Sequence, residues 1–356
     1  MKLITRYIIG RMSVSAVYAL LAFLALYSFF EVIDQAGDVG QGGYTGMKMA
    51  QYVLFQMPAH AYELMPLAVL IGGLLSLSQL ASGSELTVMK ASGMSTKKLL
   101  LVLSQFGLIF ALATVAVGEW VAPQLSRYAE NMKAGAVNGA ITAGSAGLWL
   151  KEKDNIVNVR EMLPDRTLRD IKIWQYDENY RLVRTQQAES AVLDADGSWR
   201  LKNVGSSLLG DKEVKVLSEN EVRWPIEVKS SLLDVLLVQP EQMSLSELTA
   251  YIGHLESNRQ KTRLYDIEWW RKLAYPVAAW VMALVAFAFT PQNTRHGNMG
   301  LKLFGGICLG LLFHFAGRLF GFSAQLYGIP PFVAGTLPTV LFALLAVFLI
   351  RKQEKR

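Results

Sequence analysis

Apolar residues gather in long unbroken runs through the first third of the chain and again through its last quarter, while the middle is far more polar and holds only short apolar runs. Six stretches, approximately 12–32, 62–82, 99–121, 273–291, 302–322 and 331–350, reach the roughly 17–25 residues that a helix needs to cross a bilayer. Between the third and the fourth lie about 150 residues too polar for lipid. There the runs 148–150, 155–159, 170–176, 181–191, 199–204 and 213–224 are rich in Val, Ile, Trp and Tyr, and turn signals such as Asp194-Ala195-Asp196-Gly197 separate them. Short strands at this spacing predict a β-sandwich or jelly roll. Ser244-Leu245-Ser246-Glu247 then reads as a capping box that opens a helix through Tyr251 and Leu255. The expected fold is a polytopic α-helical membrane protein with six transmembrane helices and an all-β, jelly-roll-like domain inserted between helices 3 and 4. Its parts are 1–125 (first three spans), 126–262 (β domain and connecting helix) and 263–356 (last three spans).

Composition agrees, at 52% hydrophobic and 18% charged residues. A net charge of +6 raises the question of nucleic acid, but the basic residues flank apolar runs and form no groove-lining cluster with interleaved aromatics. They report topology instead. Lys2, Arg6 and Arg11, then Lys90, Lys97 and Lys98, then Arg295 and Lys302, then Arg351, Lys352, Lys355 and Arg356 all fall on one side if every span crosses. By the positive-inside rule that side is cytoplasmic, with both termini, and the β domain is exported. Arg271 and Lys272 go against the rule at the exported start of the fourth span. The run from Met12 to Phe30 is span-length and lacks a small-residue cleavage site, so it reads as an uncleaved first span.

The segment 82–94 predicts a short helix between the second and third spans. Ser82 followed by Glu85 reads as a capping box and Gly93 as a terminator, while Leu86, Met89 and Met94 give it an apolar side and Glu85 and Lys90 a charged one. An element of this kind suits docking by a partner; the plainer reading is a connector with a solvated Glu85.

What is absent narrows the chemistry. No Gly-Lys dipeptide occurs, hence no phosphate-cradling Walker loop, and neither His-Glu-x-x-His nor Gly-x-Ser-x-Gly is present. A lone Cys308 and four scattered histidines offer no metal site, and no cofactor is expected. The centres of the spans lack paired carboxylates for proton coupling. Energy for any transport is therefore expected from a partner, and the chain is not expected to be an enzyme. Arg318 lies deep in the fifth apolar run, near its exported end, where it either faces a wet cavity, pairs or meets an anion, or else snorkels to the interface. Arg263, Arg271, Lys272 and Lys133 could extend a basic rim at the same level. Gly305, Gly306 and Gly310, with Phe313 and Phe320, form a candidate gate on the same span, ordinary close packing being the alternative.

Several motifs resemble one family. They are Ser84-Glu85-Leu86, Val88-Met89 and Ala91-Ser92-Gly93; Gly118-Glu119-Trp120-Val121-Ala122-Pro123; Gly147-Leu148-Trp149; Met243-Ser244-Leu245-Ser246; and Tyr327-Gly328-Ile329-Pro330-Pro331. In this order they are similar to the LptF/LptG lipopolysaccharide export permeases, nearest the LptG branch. The resemblance implies a six-span half of an ABC exporter in the bacterial inner membrane, with a periplasmic jelly roll. It implies pairing with an LptF-type paralogous permease, an LptB-type ATPase dimer as motor, an LptC-type single-span bridge protein as receiver, and lipopolysaccharide as cargo. Ser84, Glu85, Leu86, Met89, Ala91, Ser92 and Gly93 would then belong to a coupling helix that docks on the ATPase, and the first and fifth spans would be gates. One departure concerns Glu31, which stands where the family carries a lysine facing lipid A phosphates. Lys133 and Arg318, with Arg263, Arg271 and Lys272, are expected to carry that contact here. Two other readings remain: a permease that drives periplasmic partners without carrying lipid, and a membrane-anchored assembly factor.

Overall fold

The computed structural model describes residues 2–138, 148–152, 155–162, 167–177, 180–194, 198–210, 213–224, 240–289 and 299–354. Helix α1 is Lys2–Ala36, α2 is Gly46–Ser82 and α3 is Glu85–Ala91. Helix α4, Thr96–Ala116, passes through a π-helical turn at Val117–Val121 into α5, Ala122–Asn138. After the β domain come α6 (Leu245–Ser257), α7 (Arg263–Phe289), α8 (Met299–Tyr327) and α9 (Pro331–Glu354). Among the described residues, six helices are long and apolar enough to cross a membrane, and they coincide with the six apolar runs. They overshoot them, however. Helix α2 starts sixteen positions before 62, and the third span continues as helix to Asn138, because polar residues of α5 find partners on the lengthened α2. Ser126 donates to Gln56 at 2.9 Å and Tyr52 donates to Glu130 at 2.7 Å.

Helix α2 is the centre of the bundle. Most of its apolar length is buried, whereas α1 and α8 leave most of theirs exposed, and α1, α5, α7 and α8 all pack against it. Small residues allow the approach: a Cβ on Gly72 would lie 2.2 Å from Ala16 Cα, so α1 and α2 touch backbone to backbone. Leu70, Leu74, Leu77, Leu103, Phe106 and Met282 are fully buried between α2, α4 and α7.

Six strands, β1 (Leu148–Glu152), β2 (Asn155–Met162), β3 (Leu168–Tyr176), β4 (Leu182–Leu193), β5 (Trp199–Leu209) and β6 (Val214–Trp224), form one antiparallel sheet in sequential order. Each matches a run expected from its content of Val, Ile, Trp and Tyr and from the turn signals between runs. In β3, Leu168, Ile171 and Ile173 face a core shared with Val157, Trp199, Leu201 and Val204. The inserted all-β domain is thus present between the third and fourth spans. Its core is small beside that of the bundle, and it returns to the bundle through α6, whose capping box between Ser244 and Glu247 forms as expected.

Candidate functional site

At the α3 end, the expected capping box of Ser82 and Glu85 does not form. Ser82 lies in the last turn of α2 and its hydroxyl donates back to the Gln79 carbonyl at 3.0 Å. Helix α3 starts two residues later than that pattern expects, behind Ser84 in a left-handed conformation at φ 61° with no side-chain cap. Glu85 is drawn elsewhere by stronger donors. Tyr7 donates to one carboxylate oxygen at 2.9 Å and Arg11 to the other at 2.9 Å, and Arg11 also donates to the Tyr7 hydroxyl at 2.7 Å. The Tyr7 hydroxyl first, and Arg11 next, hold the Glu85 carboxyl below the usual carboxylate range. Gly93 does terminate the helix: at φ 93°, its N–H donates to the Lys90 carbonyl and that of Met94 to Met89, a Schellman closure. Leu86 is buried in the bundle core with Met89 packed partly against it, while Ser84, Val88, Ala91, Ser92 and Gly93 remain exposed. The helix therefore has one face fixed to the spans and one face free.

At the β-domain end lies a cleft bounded by α2, α7, α8 and α9 and by the turn at Pro240–Gln242. Charged residues meet on its walls. Arg271 pairs with Glu268 at 2.6 Å, the glutamate being buried, and Arg318 reaches Glu63 at 3.4 Å with its side chain 63% exposed. Tyr62 and Tyr275 stack at 4.9 Å, and Lys272 stands 5.5 Å over the Tyr62 ring while donating to the Met243 carbonyl. Taking an ion pair out of water is expensive unless each charge keeps partners, and Glu268 and Arg271 answer each other one turn apart. Arg318 is the looser cation, with one long contact among the described residues and its side chain open to the cleft.

The other expected basic residues are distributed differently. Lys133 does not reach the cleft; it pairs with Asp38 at 2.8 Å and lies 5.4 Å over the Tyr52 ring. Glu31 faces His60 at 3.6 Å. Arg263 donates to the backbone carbonyls of Ala324 and Ile329, at 3.1 and 2.6 Å, and so ties α7 to the turn between α8 and α9. Gly306 and Gly310 face inward, under Leu74 and Leu67 of α2, Gly305 lies near Phe289, and Phe313 packs edge-on against Phe342. Phe320 is half-buried. Tyr7, Arg11, Glu63, Glu268 and His314 belong to these sites without having been singled out as site residues. For Glu268 and Arg271 the signal was available in their spacing of three on one helix face.

Comparison with known proteins agrees with the motifs and the fold. The family model described as "Lipopolysaccharide export system permease LptF/LptG" matches residues 6–352. The chain belongs to the LptF/LptG family. This permease is 31% identical, over 352 residues and 98% of both chains, to the lipopolysaccharide export system permease protein LptG of Escherichia coli strain K12. It is 28% identical, over the same share, to that of Haemophilus influenzae. Family and fold together make it a multi-pass inner-membrane protein and a permease subunit of a lipopolysaccharide export system. Among the described residues, no group of metal-ligating side chains gathers.

Proposed function

We propose that this permease is one transmembrane half of an ABC exporter that takes lipopolysaccharide from the inner membrane and passes it to a periplasmic bridge. An LptB-type ATPase dimer drives it, an LptF-type permease completes the cavity, and an LptC-type protein receives the lipid. The termini and α3 are cytoplasmic and the β domain periplasmic, in keeping with the lysines and arginines of the short loops. The observation that carries this reading is α3: a short helix between two spans, its exposed face free for a partner and its Glu85 joined to α1. A displacement imposed on α3 would reach the first span through that link. The exposed apolar faces of α1 and α8, with Tyr18, Phe29, Phe315 and Phe322 outward, are the surfaces offered to the paralogous permease. They flank α2, so they would part as gates without unpacking the core.

For the cargo's phosphates, Arg318 is the first contact, since its guanidinium is accessible and weakly held, with Arg271 and Lys272 lining the same cleft, while Arg263 and Lys133 are held outside it by backbone carbonyls and Asp38. Affinity purification of the tagged chain from its native membrane tests the reading. Recovery of an ATPase, a second six-span permease and bound lipopolysaccharide, the last identified by mass spectrometry, is expected. Recovery of the proteins without lipid would favour a permease that drives partners only, and recovery of no ATPase would refute the coupling.

A further inference from the structure

Two motifs far apart in sequence meet at one point. Gly118–Pro123 spans the π-helical turn into α5, and Met243–Ser246 opens α6. The backbone N–H of Leu245 donates to both carboxylate oxygens of Glu119, at 2.9 and 3.1 Å. Leu245 is the first residue of α6, so its N–H has no partner within the helix, and a carboxylate there also meets the positive end of the helix dipole. Two further bonds hold the same turn from separate helices: Arg127 of α5 donates to Glu247, and Lys272 of α7 donates to the Met243 carbonyl.

The π turn belongs to this arrangement. Single π turns inside α-helices are rare and occur frequently at functional sites. Here Gly118 lies directly against Tyr62, since a Cβ on it would be 2.5 Å from the ring. The next residue is Glu119, directed at α6.

We propose that Glu119 is a positioning residue for transport, whose carboxylate seats the start of α6 on the third span so that movement of α4 and α5 is carried to the β domain and to α7. This rests on the reading of the chain as a transport subunit. The joint is short and polar, and it lies where the β domain rejoins the bundle. A shift of the third span therefore moves α6 directly, without first displacing the cores on either side.

The bond can be deleted from either side. Leu245→Pro removes the donor at the one helical position where proline is tolerated, and Ser244 already has the extended ψ of 163° that a residue before proline adopts. Glu119→Ala removes the acceptor, and Glu119→Gln keeps one acceptor oxygen. Each variant is tested in the assembled exporter in proteoliposomes, reading lipopolysaccharide release, basal ATP hydrolysis and the spin-label distance between Met47 and Val216, both exposed, with Cys308 replaced. Glu119→Ala and Leu245→Pro should each keep assembly and basal hydrolysis, lower release roughly tenfold and broaden the distance distribution. Their combination should be no worse than either alone, because both delete the same bond, and Glu119→Gln should retain most of the release. Unchanged release and distances in both single variants, or additive losses in the double, would overturn the proposal. If the unaltered assembly releases no lipid, the transport reading fails instead, and the distance distributions still decide whether Glu119 seats α6.

Discussion

Glu85 and Arg11 meet at 2.9 Å, 74 positions apart in sequence, and so fasten the short helix between the second and third spans to the first. Both side chains are about one-third exposed, at 37% and 32%, so the pair contributes little to global stability and its value is geometric. With Tyr7 on the second oxygen, the carboxylate is held in two directions. Helix α3 cannot turn about its own axis without moving α1.

This link has a pH limit of known sign. Because its neighbours depress the Glu85 carboxyl in the folded protein, its contribution is present above the ordinary carboxylate value of 4.5 and is lost only as pH falls through the lower folded value. Tyr7→Phe removes the leading cause and should move the opening to higher pH. Spin labels at Leu3 and Val88 read the separation of α1 and α3 across an acid titration; identical midpoints in the two proteins would show that Tyr7 does not hold Glu85.

The buried pair in the cleft should behave differently. Arg271→Met leaves Glu268 uncompensated and is expected to cost roughly 3–5 kcal/mol, whereas the double variant Glu268→Gln, Arg271→Met should recover most of the loss. Thermal unfolding in detergent measures both. A double variant as unstable as the single would mean that the pair itself, rather than the orphaned charge, carries the energy.

Close packing of the first span on the second is testable at one methyl group. Gly72→Ala places a Cβ 2.2 Å from Ala16 Cα and should destabilise by about 1–3 kcal/mol or more, the cost of overpacking against backbone. Gly317→Ala, with nothing within 4 Å of the added carbon, serves as the control. Equal unfolding midpoints for the two would contradict the backbone contact.

Much of the architecture was legible because lipid imposes a length on apolar runs, and because β-branched and aromatic residues between turn signals mark strands. The six spans and six strands follow from those signals. Helix lengths beyond the apolar runs were not legible, since Tyr52, Gln56, Ser126 and Glu130 stabilise each other only after α2 and α5 pack. For the same reason Ser82 and Glu85 matched a capping pattern that the fold does not use. Arg11 lies too far away in sequence for a local rule to weigh it. Lys133 and Arg263 were grouped with Arg318 by level in the membrane, but level does not specify azimuth around a bundle, and Asp38 and the Ile329 carbonyl claim them.

At the proposed cargo site, Arg318→Ala should lower photocrosslinking of lipopolysaccharide and lipid-stimulated ATP hydrolysis roughly ten- to hundredfold, charge-assisted contacts being worth roughly 1.5–3 kcal/mol. Glu63→Gln releases Arg318 from its carboxylate and should raise crosslinking. Lys133→Ala should have a smaller effect, because Asp38 already occupies that ammonium. If Arg318→Ala and Lys133→Ala both left crosslinking and stimulation unchanged, these residues would not contact the phosphates.

The central claim is that α3 passes an ATPase's motion into the spans through Glu85, and lipopolysaccharide released per ATP hydrolysed in proteoliposomes tests it most directly. Glu85→Ala should lower that ratio at least about tenfold or free the ATPase from the complex, and the exchanged pair Glu85→Arg, Arg11→Glu should recover part of the loss. Stable ATPase association with an unchanged ratio in Glu85→Ala would contradict it.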